Sequence, residues 1–401
     1  MAKGEDAKPR DRPKKAKAFD TRAVHAASPP DYNAGAVVAP IYQTTTFHFP
    51  AELSEARDHG EVHLYTRLRN PTTSQAAQAI SGLEGAETGR VFASGMGALS
   101  CAVLSLLGTG DEIVALEDLY GNTITMLRDL LPQWGIRVRW VPQGASSTVA
   151  DLVSDSTRLL LMESPTNPTL RVHDVRAWAA AARKAGALLL VDNTFATPVN
   201  QNPLDLGADL VMHSATKYLS GHSDVIAGAL VGRTEPMERA TRWADTLGAT
   251  LDPMAAFLLI RGIKTVGVRV RRQNETARIL VETFSEDPRI EQVLYPGRHS
   301  AEEERLASVQ MRGRGGMVSL SLRGGRNSAR NFLAGLKLIH PASSLGGVES
   351  LASLPVETSH RHLTPEERHA RGIDDGLVRI SVGLEDPDDL ADDIRQALSS
   401  L

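Results

Sequence analysis

The chain has 401 residues, of which 42% are hydrophobic and 23% charged, and its formal net charge is −4 at pH 7. This length is enough for more than one domain, and the charge balance gives no reason to expect nucleic acid or a membrane as a partner. No apolar run approaches the ~18 residues of a membrane helix. Residues 1–20 contain no apolar leader, and the single cysteine, Cys101, excludes an intrachain disulfide. We therefore expect a soluble, cytoplasmic protein.

The N-terminal part is predicted to lie outside the main folded body. Residues 1–20 are rich in Lys, Arg and Pro, so a disordered basic tail is expected. Residues 21–62 are predicted to form an extended arm, because Pro40, Pro50 and many β-branched residues disfavour a helix except over 51–59. Such an arm must pack on another surface, for example on a second subunit.

An irregular stretch that ends in proline carries Tyr65 and Arg67, and functional side chains often lie in such segments. By themselves these two residues are most simply a half-buried tyrosine and a surface arginine. The segment 72–84 is predicted to be a helix that Thr72 or Thr73 caps.

Residues 91–98 predict a strand, a glycine turn and the start of a helix. Free backbone N–H groups at a helix N-terminus bind anions, and glycine permits a close approach. The turn at Gly95 and Met96 is a weak signal alone, because glycine turns before helices are common. It gains weight from Ser214 and Thr216, whose hydroxyls could bind the same phosphate.

Strands and helices then alternate, which is typical of a parallel sheet covered by helices. The predicted strands are 112–116, 137–141, 158–162, 188–191, 209–213 and 228–232, and the predicted helices are 122–131 and 174–185. Tyr120, Asn167 and Asp192 lie in loops that follow strands. Because the carboxyl ends of parallel strands share one edge, these side chains are expected to face one cleft.

Asp192 and Lys217 each follow an apolar run that predicts a strand buried on both faces. Both are therefore expected at the sheet edge where open α/β sheets bind ligands. Lys217 is flanked by hydroxyl residues, which indicates an amine held beside a phosphate. This combination favours a Schiff-base cofactor over a structural ion pair.

A long helix over 254–284, bent at Gly262 or Gly267, is predicted next. Beyond it, strands are predicted over 317–322 and 377–382, and helices over 327–336 and 387–398. The chain is therefore expected to divide into a large cofactor-binding domain, 63–253, and a smaller C-terminal α/β domain, 254–401.

Several separated motifs agree with one family. They are YTRLRNPTT at 65–73, SGMGAL at 94–99, LYGNT at 119–123, ESPTNP at 163–168, VDNTF at 191–195, SATKYLSGHSD at 214–224, SLGGVES at 344–350 and RISVGLED at 379–386. From about Thr21 onward the chain resembles the pyridoxal-phosphate-dependent enzymes of cysteine and methionine metabolism. These include cystathionine γ-synthase, cystathionine γ-lyase, cystathionine β-lyase, methionine γ-lyase and the homoserine sulfhydrylases.

The resemblance implies an aspartate-aminotransferase-like fold (fold type I) with a mostly parallel central sheet, bound pyridoxal 5'-phosphate and no metal. It also implies a homotetramer built from dimers. Lys217 would be the Schiff-base lysine, Asp192 the partner of the pyridine nitrogen, and Tyr120 the residue stacked on the ring and an acid–base partner. The implied phosphate cradle is Gly95, Met96, Ser214 and Thr216. Tyr65 and Arg67 would reach the phosphate from the neighbouring subunit, so that activity requires the dimer.

For the substrate, the resemblance implies that Arg379, with Asn167 and Ser344, binds the α-carboxylate, where a bidentate arginine pair is favourable. Glu349 is expected near the distal end of the substrate, in a motif that resembles the γ-acting enzymes rather than the β-lyases.

Other positions divide the family differently. Leu64 resembles methionine γ-lyases and sulfhydrylases, since enzymes that handle cystathionine often carry Asp or Glu there. Asn122, in contrast, stands where methionine γ-lyases typically carry a cysteine, and residues 247–250 resemble the cystathionine enzymes.

We expect a γ-elimination, in which C–S cleavage of methionine or a related sulfur amino acid gives a thiol, ammonia and 2-oxobutyrate. The alternative is cystathionine γ-lyase activity, or cystathionine γ-synthase activity, a γ-replacement on an O-acyl-homoserine. A non-catalytic binding protein of the same family would have lost Lys217, Asp192, Tyr120 or Arg379, and the chain retains them all.

Overall fold

The structure is a computed structural model that describes residues 17–25, 36–48, 63–143 and 149–401. Residues 1–16 of the predicted tail and the predicted helix over 51–59 lie outside these ranges. Within them, no helix is long and apolar enough to cross a membrane.

Seven strands form the large sheet. They lie between residues 88 and 232, of which the structure describes all but 144–148. They are β1 Thr88–Phe92, β2 Glu112–Leu116, β3 Arg137–Val141, β4 Thr157–Glu163, β5 Leu188–Asp192, β6 Leu210–His213 and β7 Gly228–Gly232. The order across the sheet is β1-β7-β6-β5-β4-β2-β3. Pairing is parallel from β6 to β3, and β7 is antiparallel to both of its neighbours. The predicted mostly parallel central sheet is therefore confirmed.

Helices cover both faces of this sheet. They are α1 Phe19–His25, α2 Pro71–Glu84, α3 Gly95–Leu106, α4 Gly121–Thr125, α5 Val149–Leu152, α6 Val175–Ala185, α7 Thr197–Asn200 and α8 Thr234–Leu247. Successive residues of β7, Leu230 and Val231, belong to different hydrophobic clusters. Because successive side chains of a strand point to opposite faces, each cluster lies on its own side of the sheet.

Several local predictions in this part need correction. Asn70 caps α2, because its side-chain oxygen accepts a hydrogen bond from the Thr72 N–H at 2.9 Å. The predicted helix over 122–131 is wrong as a continuous α-helix. After α4 the backbone forms a π-helical turn over Met126–Leu130 and a 3-10 turn over Leu131–Trp134.

Helix α8 was not predicted, although its sequence carries the pattern of a surface helix. Met237, Ala240 and Ala244 are buried on one side of α8 at helical spacing. This periodicity was the available signal for the helix.

Helix α1 corrects the prediction that residues up to 20 are disordered and that the arm is extended from residue 21. Its Asp20 carboxylate pairs with Arg271 at 2.7 Å. Ala23 is 2% exposed and packs into the cluster that includes Ile80. These contacts with distant residues order the helix, and the composition of the tail gives no sign of them.

The residues from 253 onward, all of them described, form the C-terminal part. Its sheet contains β8 Ile290–Leu294, β9 Met317–Leu322, β10 His340–Pro341, β11 Leu351–Ser353 and β12 Leu377–Ser381, in the order β10-β11-β12-β9-β8. Its helices are α9 Pro253–Ile263, α10 Val266–Phe284, α11 Ala301–Gln310, α12 Gly325–Gly335, α13 Pro365–Ala370 and α14 Pro387–Leu398. Strands β9 and β12 were predicted, whereas β8, β10 and β11 were not. The domain boundaries stay a prediction.

The predicted long helix over 254–284 is two helices, α9 and α10. The Arg269 guanidinium, on α10, donates to the carbonyls of Gly262 and Tyr218, both at 2.8 Å. A side chain at position 262 would place its Cβ 2.1 Å from the Ser220 carbonyl oxygen, so glycine is required there. The end of α9 is therefore attached to the turn that follows Lys217.

Asp393 on α14 offers a test of the C-terminal fold. Its carboxylate accepts from the N–H groups of Lys337, Leu338 and Ile339 at 2.8, 3.0 and 2.9 Å, and the residue is 6% exposed. We predict that Asp393→Ala lowers the free energy of unfolding by about 3 kcal/mol, because three N–H groups, among them that of the buried Ile339, lose their acceptor. Urea titration measures the change.

The neighbouring Asp392 provides the control. Its side chain is 76% exposed and pairs with Arg395 on the same helix. Asp392→Ala is expected to change stability by less than about 0.5 kcal/mol. Equal effects of the two substitutions would contradict the role assigned to Asp393.

Candidate active site

A cavity of about 620 Å³ lies at the carboxyl ends of β4, β5 and β6, beneath segments of the C-terminal part. Most of the predicted site residues line it: Gly95, Met96, Tyr120, Asn167, Asp192, Ser214, Thr216, Lys217, Ser344 and Arg379. The expectation of a single cleft at this sheet edge is met. Tyr65, Arg67 and Glu349 are not among its lining residues.

Lys217 lies in the turn after β6 and extends toward the C-terminal part. Its Nζ donates to the Ser344 hydroxyl at 2.7 Å. Burial, with a smaller effect of the Arg379 charge, lowers the pKa of the Lys217 amine to about 8. A much larger fraction of this amine is therefore neutral, and nucleophilic, near neutral pH than for an ordinary lysine.

Asp192 is the last residue of β5, and Thr194 connects it to the segment that carries Lys217. The carboxylate accepts from the Thr194 N–H at 2.9 Å and from its hydroxyl at 2.5 Å. The same hydroxyl oxygen accepts from the Ser214 N–H at 2.8 Å. Burial raises the pKa of Asp192, against the opposing effect of these Thr194 hydrogen bonds. A cationic partner in the cavity would favour the ionised form.

The glycine turn packs directly on Ser214. A Cβ at position 95 would lie 2.9 Å from the Ser214 Cβ, so only glycine permits this approach. Ser94 caps α3 by accepting from the Gly97 N–H at 3.0 Å. The Thr216 hydroxyl donates to the Ala227 carbonyl and accepts from the Ala227 N–H. The N-terminus of α3 and the Ser214 side chain thus meet at one end of the cavity.

Tyr120 lines the cavity from the start of α4 and is 37% exposed. Its backbone N–H donates to the Glu163 carboxyl at 2.9 Å, and its hydroxyl accepts from the Asn122 amide at 3.3 Å. Glu163 pairs in register with Asp192 across β4 and β5. Burial, followed by the charges of Asp192 and Asp118, raises the pKa of Glu163 well above its usual range.

Arg379, on β12, is 5% exposed. Its Nη1 donates to the Asn167 side-chain oxygen at 2.8 Å and its Nη2 to the Ser344 carbonyl at 3.1 Å. Burial lowers the pKa of Arg379 to about 10. Among the described residues its buried Nε has no hydrogen-bond partner. A donor remains available for an anionic ligand.

The remaining predicted residues lie elsewhere. Tyr65 and Arg67 line a separate depression with Thr250, where the Arg67 guanidinium donates to the Asp245 carbonyl and lies 5.6 Å from the centre of the Tyr65 ring. Both side chains are exposed. Glu349 is also exposed, and the cavity wall made by the described residues does not include it.

One segment of the cavity wall was not predicted from the sequence. Residues 357–362, here called the rim loop, contribute Glu357, Thr358, Ser359, Arg361 and His362 to the lining. A cluster of charged and hydroxyl residues between Pro355 and Pro365 was the available signal. Glu163 and Thr194 were also missed as cavity residues, although both lie inside quoted motifs.

A family model described as Cys/Met metabolism PLP-dependent enzyme matches residues 20–399. The chain belongs to this family. Its fold is the α/β fold of the family, and its cofactor is pyridoxal phosphate, which confirms the predicted fold class, enzyme class and cofactor.

Named relatives within the family carry different activities. The L-methionine gamma-lyase of Pseudomonas putida is 43% identical over 387 residues, which is 95% of this chain and 97% of the relative. The cystathionine gamma-lyase of Bacillus subtilis (strain 168) is 40% identical over 382 residues, 95% of this chain and 99% of the relative.

The crystal structure of cystathionine gamma synthase from Xanthomonas oryzae pv. oryzae in complex with aminoacrylate and cysteine is similar, with a TM-score of 0.91. The sequences are 38% identical, and the match covers 96% of this chain and 99% of that chain. The family thus includes γ-elimination and γ-replacement enzymes at comparable distances from this chain.

The cavity fits the family's cofactor. Lys217 would supply an amine for its aldehyde, and Asp192 would supply a carboxylate for its ring nitrogen. Because Gly95 has no side chain, the N-terminus of α3 packs directly against Ser214. Backbone N–H groups and the Ser214 hydroxyl can together bind a phosphate there. Tyr120 presents an aromatic ring at the cavity wall.

The lowered pKa of Lys217 leads to a pH prediction for cofactor capture. Because the neutral amine is the nucleophile, the rate at which cofactor-free protein regains its visible absorbance should rise with pH through a midpoint near 8. Stopped-flow absorbance with added pyridoxal phosphate measures this rate. Arg379→Met should move the midpoint upward, because it removes a neighbouring positive charge. A midpoint at the ordinary lysine value, with no response to that substitution, would refute the account.

Proposed function

We propose that this enzyme is a carbon–sulfur lyase that catalyses γ-elimination. With water, it would convert methionine or a related sulfur amino acid into a thiol, ammonia and 2-oxobutyrate. The observation that carries the proposal is the arrangement of Lys217, Ser344 and Arg379. The Lys217 amine, with its pKa lowered to about 8, and the buried Arg379 guanidinium contact the same Ser344 in one cavity.

Bound pyridoxal phosphate supplies an electron sink for negative charge at the substrate's Cα. Lys217 would hold the cofactor, and its amine, when free, would move protons at Cα and Cβ. Asp192 would keep the ring nitrogen protonated. The Tyr120 hydroxyl, next to Asn122, donates a proton to the departing sulfur.

Arg379 binds the substrate α-carboxylate, assisted by Asn167 and Ser344. A carboxylate oxygen would satisfy its buried Nε, and a planar guanidinium can bind two carboxylate oxygens at once. The approaching anion would also offset the burial of the Arg379 charge. This contact fixes the position of Cα relative to Lys217.

Gly95, Met96 and Ser214 would hold the cofactor phosphate, with Thr216 contributing if its hydroxyl turns away from Ala227. Tyr65 and Arg67 would contact the phosphate in the neighbouring subunit, and their position outside the cavity of their own chain supports this. The enzyme would accordingly be a homotetramer of two active dimers, located in the cytoplasm.

Methionine is supported as substrate by Leu64 and by the 43% identity to a methionine gamma-lyase. The second candidate is cystathionine γ-lyase or γ-synthase activity, with Glu349 near the distal end of the substrate. It is supported by Asn122 at the cavity wall and by the relatives named for cystathionine. Because Glu349 is exposed on its own subunit, it is free to act in the site of a neighbouring subunit.

Product analysis tests the proposal. The holoenzyme is expected to release 2-oxobutyrate from methionine, cystathionine or both, whereas cysteine plus an O-acyl-homoserine would yield cystathionine if γ-replacement dominates. Lys217→Ala should be colourless and at least about a thousandfold slower, because it loses the covalent attachment and the proton carrier. Wild-type protein without visible absorbance after cofactor addition would disprove the assignment.

Complementation tests the shared site. Lys217→Ala and Arg67→Ala are each expected to be nearly inactive, yet co-expressed subunits should regain activity. If Arg67 serves its neighbour's site, random pairing in dimers leaves about a quarter of all sites with neither substitution. Mixed dimers isolated with two affinity tags provide the measurement. Mixed dimers as inactive as their parents would show that Arg67 acts within its own subunit.

A further inference from the structure

The rim loop, residues 357–362, lies directly beside the tyrosine that faces the proposed reaction centre. A Cβ at position 121, one residue after Tyr120, would lie 2.0 Å from the Ser359 carbonyl oxygen and 2.5 Å from the His362 Cε1. Glycine at 121 therefore allows the loop to rest on the backbone at the start of α4. This packing holds the loop at the cavity wall.

The loop's conformation is also determined by its own hydrogen bonds. The His360 N–H donates to the Pro355 carbonyl at 2.9 Å, and the Leu363 N–H donates to the His360 carbonyl at 3.2 Å. The Arg368 guanidinium donates to the Leu363 carbonyl at 2.8 Å. Arg361 thus projects from a backbone that is held on both sides.

The ionisable side chains of this loop differ in whether they carry a charge and whether that charge is already paired. Glu357 forms an ion pair with Arg330 at 2.6 Å. Burial, followed by the charges of Arg128 and Arg361, lowers the pKa of His362, so its ring is neutral at neutral pH. Arg361 is exposed, lines the cavity, and forms no hydrogen bond or ion pair with any described residue.

The cavity's carboxyl groups are not available to Arg361. Glu163 is held by the Tyr120 N–H, and its raised pKa favours the neutral acid. Asp192 is bound by Thr194 and faces the proposed position of the cofactor ring nitrogen. Among the described residues, the cavity therefore offers Arg361 no counter-ion, and an anionic ligand would be the natural partner of this guanidinium.

We propose that Arg361 binds a carboxylate at the far end of the substrate's γ-substituent, so that the enzyme prefers amino acids whose γ-substituent carries a carboxylate over methionine. This inference rests on the proposed γ-chemistry and specifies its substrate class. One arginine, Arg379, binds the α-carboxylate, and Arg361 binds the distal one. The thioether of methionine ends in a methyl group and gives Arg361 nothing to bind. Cystathionine and O-succinyl-homoserine both carry the required carboxylate.

The distal carboxylate takes no part in bond making or breaking. In elimination from an O-acyl-homoserine, the Cγ–O bond breaks, the acid leaves with the electron pair, and water releases ammonia and 2-oxobutyrate. Arg361 changes only how strongly the leaving portion is bound. It is therefore a specificity residue rather than a catalytic one.

Two esters that differ in the distal carboxylate provide the test. O-Succinyl-homoserine and O-acetyl-homoserine share the same scissile bond, and the ratio of their kcat/KM values for 2-oxobutyrate release isolates the distal group. Wild-type holoenzyme is expected to favour the succinyl ester. Arg361→Gln should reduce the ratio about tenfold, the size expected for one charge-assisted hydrogen bond. Arg361→Lys should retain part of the preference.

The control is Arg278→Gln on α10, which removes an exposed arginine paired with Glu282 on the same helix and should leave the ratio unchanged. An unchanged ratio in Arg361→Gln would overturn the proposal. So would an equal loss with both esters, or a loss of visible absorbance, since these would assign Arg361 to general binding or to the cofactor.

If wild-type enzyme turned over neither ester nor methionine nor cystathionine, the proposed function would fail. The distal-site proposal would still be tested, because the ester-induced change in visible absorbance gives dissociation constants for both esters. The wild-type preference and its loss in Arg361→Gln are expected there as well, and equal constants would overturn it.

Discussion

Two cationic side chains withdrawn from water in one cavity, Lys217 and Arg379, are the constraint on which the site depends. Burial of each charge is unfavourable, and the pKa of both groups falls in response, to about 8 and about 10. Ser344 contacts both, through its hydroxyl and its carbonyl. The arrangement is suited to an enzyme whose cofactor reacts with a neutral amine and whose substrate brings a carboxylate, because each partner relieves part of the penalty of burial.

Lys217 follows a strand of the large sheet, whereas Arg379 lies on a strand of the C-terminal part. A third buried cation helps to join these two parts of the chain. Arg269, which is 4% exposed, donates to the carbonyls of Tyr218 and Gly262. These hydrogen bonds join the turn after Lys217 to the end of α9. Gly262 permits the contact, since any Cβ there would meet the Ser220 carbonyl. The lysine is thus positioned by a helix junction that has no chemistry of its own.

Charge also orders the rest of the cavity. Glu163 and Asp192 end neighbouring parallel strands in register, and the pKa of each is raised by burial. The cofactor's ring nitrogen would stabilise one charge there, which favours an ionised Asp192 beside a protonated Glu163 that anchors Tyr120. On the rim loop, Arg361 presents a positive charge without a counter-ion among the described residues. The cavity therefore combines buried acidic groups with basic groups that have no acidic partner.

The sequence predicted the elements whose signals are local. The strands β2, β3, β7 and β9 were located with their observed bounds, because apolar residues recur along each of them. Asp192 and Lys217 were predicted to share a site because the carboxyl ends of parallel strands lie at one edge of a sheet, and both residues line the cavity. The quoted motifs identified the family and its cofactor. Local pattern was weaker for β8, β10 and β11, which are short or partly exposed, and it failed where the predicted helix over 254–284 divides.

Tertiary structure decided what depends on contacts between distant residues. Helix α1 is ordered by its ion pair with Arg271 and by burial of Ala23, and both contacts involve residues far away in the sequence. The rim loop enters the cavity because Gly121, far away in sequence, leaves room for it. Sequence alone could predict Lys217, Asp192 and Arg379 as site residues, because each lies in a motif whose neighbouring residues indicate its chemistry. It could not place Arg361 in the cavity wall or exclude Glu349 from it. The surroundings of a side chain depend on how distant segments pack together, and the spacing of residues in the sequence does not determine that packing.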